Sequence, residues 1–196
     1  MKPKDIIIFP TDTVYGMGAK LYDKKGLNYI YQIKKRPLNK SIVVLCSSLQ
    51  QAKKLVQFSP QNLKLALHFW PGPLTFVLPT TSKYFSKTKE KTLGVRIPNH
   101  PLTLEILKKN GPLKTTSVNQ SNHPPLNDYQ TIFNIYHNKV ALIYKNYHPI
   151  LKISSTIVDL TTFQPVILRQ GTITQEEISS QILKSLLPSK NCKLCA

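Results

Sequence analysis

The chain has 196 residues, 41% hydrophobic and 18% charged, enough for one domain with a full core and too few for two large ones. Its 27 Lys and Arg stand against 9 Asp and Glu, and a formal net charge of +18 points to an anionic partner, a nucleotide or a nucleic acid. With no apolar run of membrane-spanning length and only 3 cysteines, the composition excludes a membrane protein and a disulfide-stapled secreted scaffold, and predicts a cytoplasmic protein.

Met1–Asp5 does not read as a signal peptide, because it leads straight into Ile6–Phe9, an apolar segment of strand length and too short for a signal-peptide core. A polar, Gly-bearing loop over Pro10–Gly18 precedes a helix from Asp23 that carries Leu27, Ile30 and Tyr31 and is stopped by Pro37, placing Lys34 and Arg36 at its end. A buried strand over Ser41–Cys46 and helices from Leu49 and Ser59 follow, the second with Ser at its N-cap and Pro60 at its first position. Leu74–Leu78 and Leu93–Ile97 read as strands on either side of a Lys-rich loop over Pro79–Lys91, and a helix from Pro101 ends at Gly111. Leu113–Thr116 is a short strand running into Ser117-Val118-Asn119, after which Gln120–Asp128 is an exposed, Pro-containing loop. Further strands are expected near Ala141–Tyr144, Thr156–Leu160 and Val166–Arg169, and a final helix opens on the capping box Thr174…Glu177. Strands and helices interleave irregularly, which argues for an α/β or α+β fold and against a Rossmann unit.

Cys192-Lys193-Leu194-Cys195 has metal-ligand spacing, but it lacks a second ligand pair and reads as part of a disordered tail over residues 189–196, behind a single domain over 1–188. No metal site is expected. Phosphate-loop, dinucleotide and Ser-His-Asp patterns are all missing, and the 5 histidines are scattered. What stands out is arginine: only Arg36, Arg96 and Arg169 occur among 24 lysines, each inside a motif marked by Pro or Gly. A genomic composition bias can inflate lysine without any binding role, whereas arginine retained at such positions suggests a planar fork matched to carboxylate or phosphate oxygens. Together with small hydroxyl and amide side chains at strand ends, the pattern suits positioning and charge stabilisation, which is most of what a nucleotidyl transfer requires.

The motifs also carry a resemblance. Pro10-Thr11-Asp12-Thr13-Val14-Tyr15-Gly16-Met17-Gly18, Lys34-Lys35-Arg36-Pro37, Trp70-Pro71-Gly72-Pro73-Leu74-Thr75, Arg96-Ile97-Pro98, Ser117-Val118-Asn119, Ser155-Thr156-Ile157-Val158-Asp159 and Arg169-Gln170-Gly171 resemble, in order, the motifs of YrdC-like threonylcarbamoyl-AMP synthases over about residues 6–172. The resemblance implies a twisted mixed β-sheet flanked by helices around a basic concave cavity. It implies the reaction of L-threonine, bicarbonate and ATP, with Mg²⁺ accompanying the nucleotide, to threonylcarbamoyl-AMP and pyrophosphate. Partner enzymes would then carry the threonylcarbamoyl group to tRNA. Carried over by motif, Thr13, Arg96, Thr115 and Ser155 fall on L-threonine. Lys34, Arg36, Thr92, Ser117 and Arg169 fall on ATP, and Lys34, Arg36, Ser117 and Asn119 form a catalytic tetrad.

Departures from the family are also visible. Only five residues precede Ile6, where members usually carry an amphipathic helix. Asn122 stands where the family has a glycine, and Lys40-Ser41-Ile42 and Leu45 stand where many long-form members have Asn-Pro-Leu and a threonine-contacting His. Two other readings stay open. One is a non-catalytic module that binds tRNA or double-stranded RNA through the same basic cavity. The other is a carbamoyl-adenylate enzyme like the corresponding domain of hydrogenase maturation proteins.

Overall fold

The computed structural model describes residues 5–186, so Cys192, Cys195 and the segment from residue 189 lie outside the described residues. Strand β1 (Ile7–Phe9) turns directly into an antiparallel partner, β2 (Gly16–Lys20), with Phe9 opposite Gly16. The expected loop from Pro10 to Gly18 therefore ends at Tyr15. Its glycines belong to a strand because of close approach: a Cβ on Gly18 would come within 2.9 Å of the Phe9 ring, and one on Gly16 within 2.7 Å of the Thr115 methyl.

Helix α1 (Lys24–Ile33) is capped by Asp23, whose Oδ1 accepts the Gly26 N–H at 3.0 Å. It stops before Pro37 because Lys35 turns into the left-handed region at φ 49°, and the Arg36 N–H reaches back to the Tyr31 carbonyl at 2.9 Å. The chain continues through β3 (Val43–Leu45), α2 (Leu49–Lys53), α3 (Pro60–Phe69) and β4 (Leu74–Pro79). The Lys-rich segment expected as a loop then contains α4 (Ser82–Thr88). Its lysines conceal the helical signal, because only Tyr84 is buried and its hydroxyl donates to Glu90 at 2.6 Å.

Beyond β5 (Thr92–Arg96), α5 (Pro101–Asn110) and β6 (Leu113–Ser117) comes a further helix that sequence reading did not anticipate, α6 (Tyr129–Tyr136). It is two turns long and buries only Ile132 and Tyr136, one turn apart, beneath the N-cap Asp128, which accepts the Thr131 N–H at 2.7 Å. The last elements are β7 (Leu142–Ile143), β8 (Thr156–Asp159), β9 (Val166–Arg169) and α7 (Gln175–Leu186). The Thr174–Glu177 capping box opens α7, with reciprocal bonds of 2.6 and 3.2 Å.

The strands form one mixed sheet in the order β7-β1-β2-β6-β3-β5-β4-β8-β9. Pairs β1–β7, β3–β5 and β4–β8 run parallel and the remainder antiparallel. Alternation along each strand sends neighbours to opposite faces. Ile8 thus packs with Ile30 and Ile132, and Phe9 with Leu107 and Leu113. A third cluster places Val44, Phe76 and Val95 against Leu65, Trp70 and Ile178. Helices cover both faces, so the polar motif residues gather where strands end. No helix among the described residues is long and apolar enough to cross a membrane.

Candidate functional site

Strand ends from across the sheet converge on one cavity of about 140 Å³. The β1–β2 turn brings Thr11 and Thr13, the segment after α1 brings Arg36, and β5 ends on Arg96. The end of β6 supplies Thr115 and Ser117, the approach to β8 supplies Ser155, and β9 ends on Arg169. All three arginines of the chain therefore meet around one space, with hydroxyl groups between them and no carboxylate among its lining residues. This volume is below the roughly 300 Å³ of a drug-sized pocket, so it suits an amino-acid-sized ligand with anything larger extending outward.

Thr13 owes its position to a local turn. Thr11 Oγ1 accepts the Thr13 and Val14 N–H groups, each at 3.2 Å, and donates to the Val14 carbonyl at 2.6 Å. Arg96 is buried, and its Nη1 donates to Thr13 Oγ1 at 2.9 Å while Nη2 contacts Asp12 Oδ1 at 2.5 Å. Desolvation lowers the pKa of this guanidinium from its ordinary value, and Asp12 opposes that shift. Across the cavity, Ser155 Oγ shares a 2.8 Å hydrogen bond with Thr75 Oγ1, and Arg169 donates Nε and Nη2 to the Ser155 carbonyl at 3.0 and 2.8 Å. That close fit requires Gly171, because a Cβ there would clash with the backbone of Ser154–Thr156. Desolvation, then the like charges of Arg96 and Arg36, pushes Arg169 below its ordinary value.

Arg36 uses Nε and Nη2 on the carbonyls of Lys40 and Ser41, at 3.1 and 2.7 Å, and also lines the cavity. Lys34 and Asn119, expected beside it as ligand contacts, are not among the cavity-lining residues. Lys34 is buried, and its ammonium donates to the Ser117 carbonyl at 2.5 Å, the Asn119 carbonyl at 2.8 Å and Asn119 Oδ1 at 2.5 Å. With all three hydrogens used, it holds the Ser117–Asn119 turn from behind. Asn119 Oδ1 also accepts the Ser117 hydroxyl at 2.8 Å, so Ser117 is aimed by the pair.

Desolvation, then the charge of Arg36, pulls Lys34 down from 10.5 to about 7, although its three acceptors favour the charged form. Between those two values the unfolded chain holds the proton and the folded protein releases it. Stability should therefore rise with pH from about 7 toward 9, by up to about 1.4 kcal/mol per pH unit, and be lost as pH falls through the folded value. Denaturant titrations across that range should show this slope in the parent protein and a flatter one in Lys34→Met. Equal slopes would place the Lys34 pKa outside the window.

Thr92 opens β5 at the end opposite Arg96, exposed and paired with Pro79, and does not line the cavity. Sequence reading missed Thr11, Thr75 and Ser41, which shape the site through local turns and hydrogen bonds and carry no charge to draw attention. Asp12, the carboxylate of the first motif, is an ion-pair partner of Arg96. Among the described residues there is no group of three or more His, Cys, Asp and Glu that could hold a metal ion.

Comparison with known proteins places the fold. The family described as "Telomere recombination", comprising Sua5, YciO and YrdC, matches residues 1–171. A threonylcarbamoyl-AMP synthase of Pyrococcus abyssi is 31% identical over 182 residues, covering 90% of this chain and 53% of the relative, so the chain spans about half that protein's length. The structure of P. abyssi Sua5 complexed with L-threonine superposes with a TM-score of 0.83 at 32% identity, over 91% of this chain and 54% of that one. E. coli YciO, closer to this chain in length, superposes at 0.79 with 26% identity, over 89% and 87% of the two chains.

Proposed function

This chain belongs to the Sua5/YciO/YrdC family, and we propose that its cavity joins L-threonine, bicarbonate and ATP into threonylcarbamoyl-AMP with release of pyrophosphate. The observation that carries this reading is the meeting of Arg36, Arg96 and Arg169 around a small, hydroxyl-lined space without a carboxylate. Such a space suits a carboxylate and a polyphosphate held side by side. The Pyrococcus relative that shares its fold bears the name of this activity and has been seen with threonine.

In the proposed reaction the threonine amine condenses with bicarbonate to a carbamate, releasing water. A carbamate oxygen then attacks the α-phosphorus of ATP, and the bond to the β-phosphate oxygen breaks to release pyrophosphate. The protein's task is alignment and charge stabilisation. Arg96 and Thr13 take the threonine carboxylate, with Ser155 and Thr115 beside it. Arg36, Ser117 and Arg169 face the phosphates, and Lys34 and Asn119 aim Ser117. Mg²⁺ arrives as the nucleotide's own counterion. The product would pass to enzymes that transfer the threonylcarbamoyl group to tRNA.

The test is pyrophosphate release from purified protein with ATP, Mg²⁺, bicarbonate and L-threonine. Release that requires both threonine and bicarbonate is expected. A folded protein that releases none, yet binds RNA with a steep salt dependence, would replace this reading with the non-catalytic one.

A further inference from the structure

We propose that Asp12 is the positioning residue for Arg96: seated behind the cavity wall, its carboxylate fixes the guanidinium so that the remaining N–H groups face a carboxylate ligand. This rests on the reading of Arg96 as the threonine-carboxylate contact. The β1–β2 turn sends neighbouring side chains different ways, since Thr13 lines the cavity and Asp12 does not. Asp12 therefore has no route to a ligand there except through Arg96. Its main chain is anchored independently, the Asp12 carbonyl accepting the Leu151 N–H at 2.9 Å. The Thr11-centred bonds fix the turn on the other side.

The two side chains are 4% and 11% exposed, so the ion pair lies in a low-dielectric setting where a lone guanidinium would be costly. Asp12 on Nη2 and Thr13 on Nη1 hold both arms of the fork and set its plane, which a bidentate ligand must match. Behind the pair, the second carboxylate oxygen, Asp12 Oδ2, is buried without a hydrogen-bond partner, as is Arg96 Nε. His100, buried at the start of α5, lies within electrostatic reach of Asp12 and is itself held by Asn146 Oδ1 at 3.1 Å. Asp12 is thus held at Arg96 by a largely buried ion pair on an anchored main chain, as a positioning role requires.

Asp12→Asn keeps the volume and one acceptor and removes the charge. The threonine KM is expected to rise about tenfold or more, the scale seen when an outer partner of a liganding group is removed. The ATP KM and kcat should stay within about twofold, because the reacting atoms are untouched. The double variant Asp12→Asn/Arg96→Lys should be no worse for threonine than Arg96→Lys alone, since Asp12 acts only through Arg96. A fall in kcat with unchanged threonine KM, equal rises for both substrates, or additive effects in the double variant would overturn the proposal. If Asp12→Asn does not fold, Asp12→Glu keeps the charge but moves the carboxylate by one methylene, and a parental threonine KM in that variant would also overturn it. Threonine calorimetry on the parent separates the two readings. A parent that binds threonine without releasing pyrophosphate fails as a synthase and still lets Asp12 be tested by affinity, whereas unchanged affinity in Asp12→Asn removes the positioning role alone.

Discussion

Arg36→Ala is expected to abolish threonine-dependent pyrophosphate release, lowering kcat/KM by at least about a hundredfold, the scale for removing one preorganised charge contact from a developing anion. The fold should survive. Arg36 follows a helix that has already ended, it belongs to none of the three apolar clusters, and its own bonds tie only the Lys40 and Ser41 carbonyls of a surface segment. Circular dichroism and the thermal midpoint should therefore change little while turnover disappears. Arg36→Lys should recover only part of the rate, because one ammonium cannot hold the Lys40–Ser41 segment and contact a phosphate together. Undiminished turnover in Arg36→Ala would remove the segment after α1 from the nucleotide chemistry.

That expectation depends on a distinction the sequence could not make. The motif Lys34-Lys35-Arg36-Pro37 names two cations two residues apart, and both read as phosphate contacts. The left-handed turn at Lys35 separates their roles, sending Arg36 to the cavity and leaving Lys34 inside the protein under the Ser117–Asn119 turn. Residue identity was legible, but direction was not, because direction is decided by one backbone dihedral. The same holds for Asp12 and Thr13, adjacent in sequence and on opposite sides of the cavity wall.

Elsewhere legibility followed the strength of the local signal. The caps at Asp23, Ser59 and Thr174 fall where sequence reading starts those helices, because a short polar side chain before an apolar period has few alternatives. Helices α4 and α6 were missed because each buries one or two side chains among polar neighbours, too few to make a period. Strand β2 was missed for the opposite reason. Its glycines carry a loop signal, and only the Phe9 ring and the Thr115 methyl lying against them explain why a strand needs them there.

The second large effect is expected at Arg96, where charge and geometry can be separated. Arg96→Lys keeps a cation beside Asp12, so the buried carboxylate stays paired and the protein should fold. What it loses is the fork. In the parent protein one guanidinium spans Asp12 and Thr13, with contacts of 2.5 and 2.9 Å, and still has N–H groups to offer. A lysine ammonium directs three hydrogens from one point, and the carboxylate of Asp12 and the hydroxyl of Thr13 would compete for them with any ligand. The threonine KM should consequently rise by about a hundredfold, in line with the roughly 2–3 kcal/mol carried by charge-assisted hydrogen bonds. The ATP KM should move little, because Arg36 and Arg169 are unchanged. Steady-state pyrophosphate release at varied threonine and saturating ATP measures this directly. Identical threonine dependence in variant and parent would show that charge alone suffices at this position, and the carboxylate would then have to be sought at Arg169 beside Ser155.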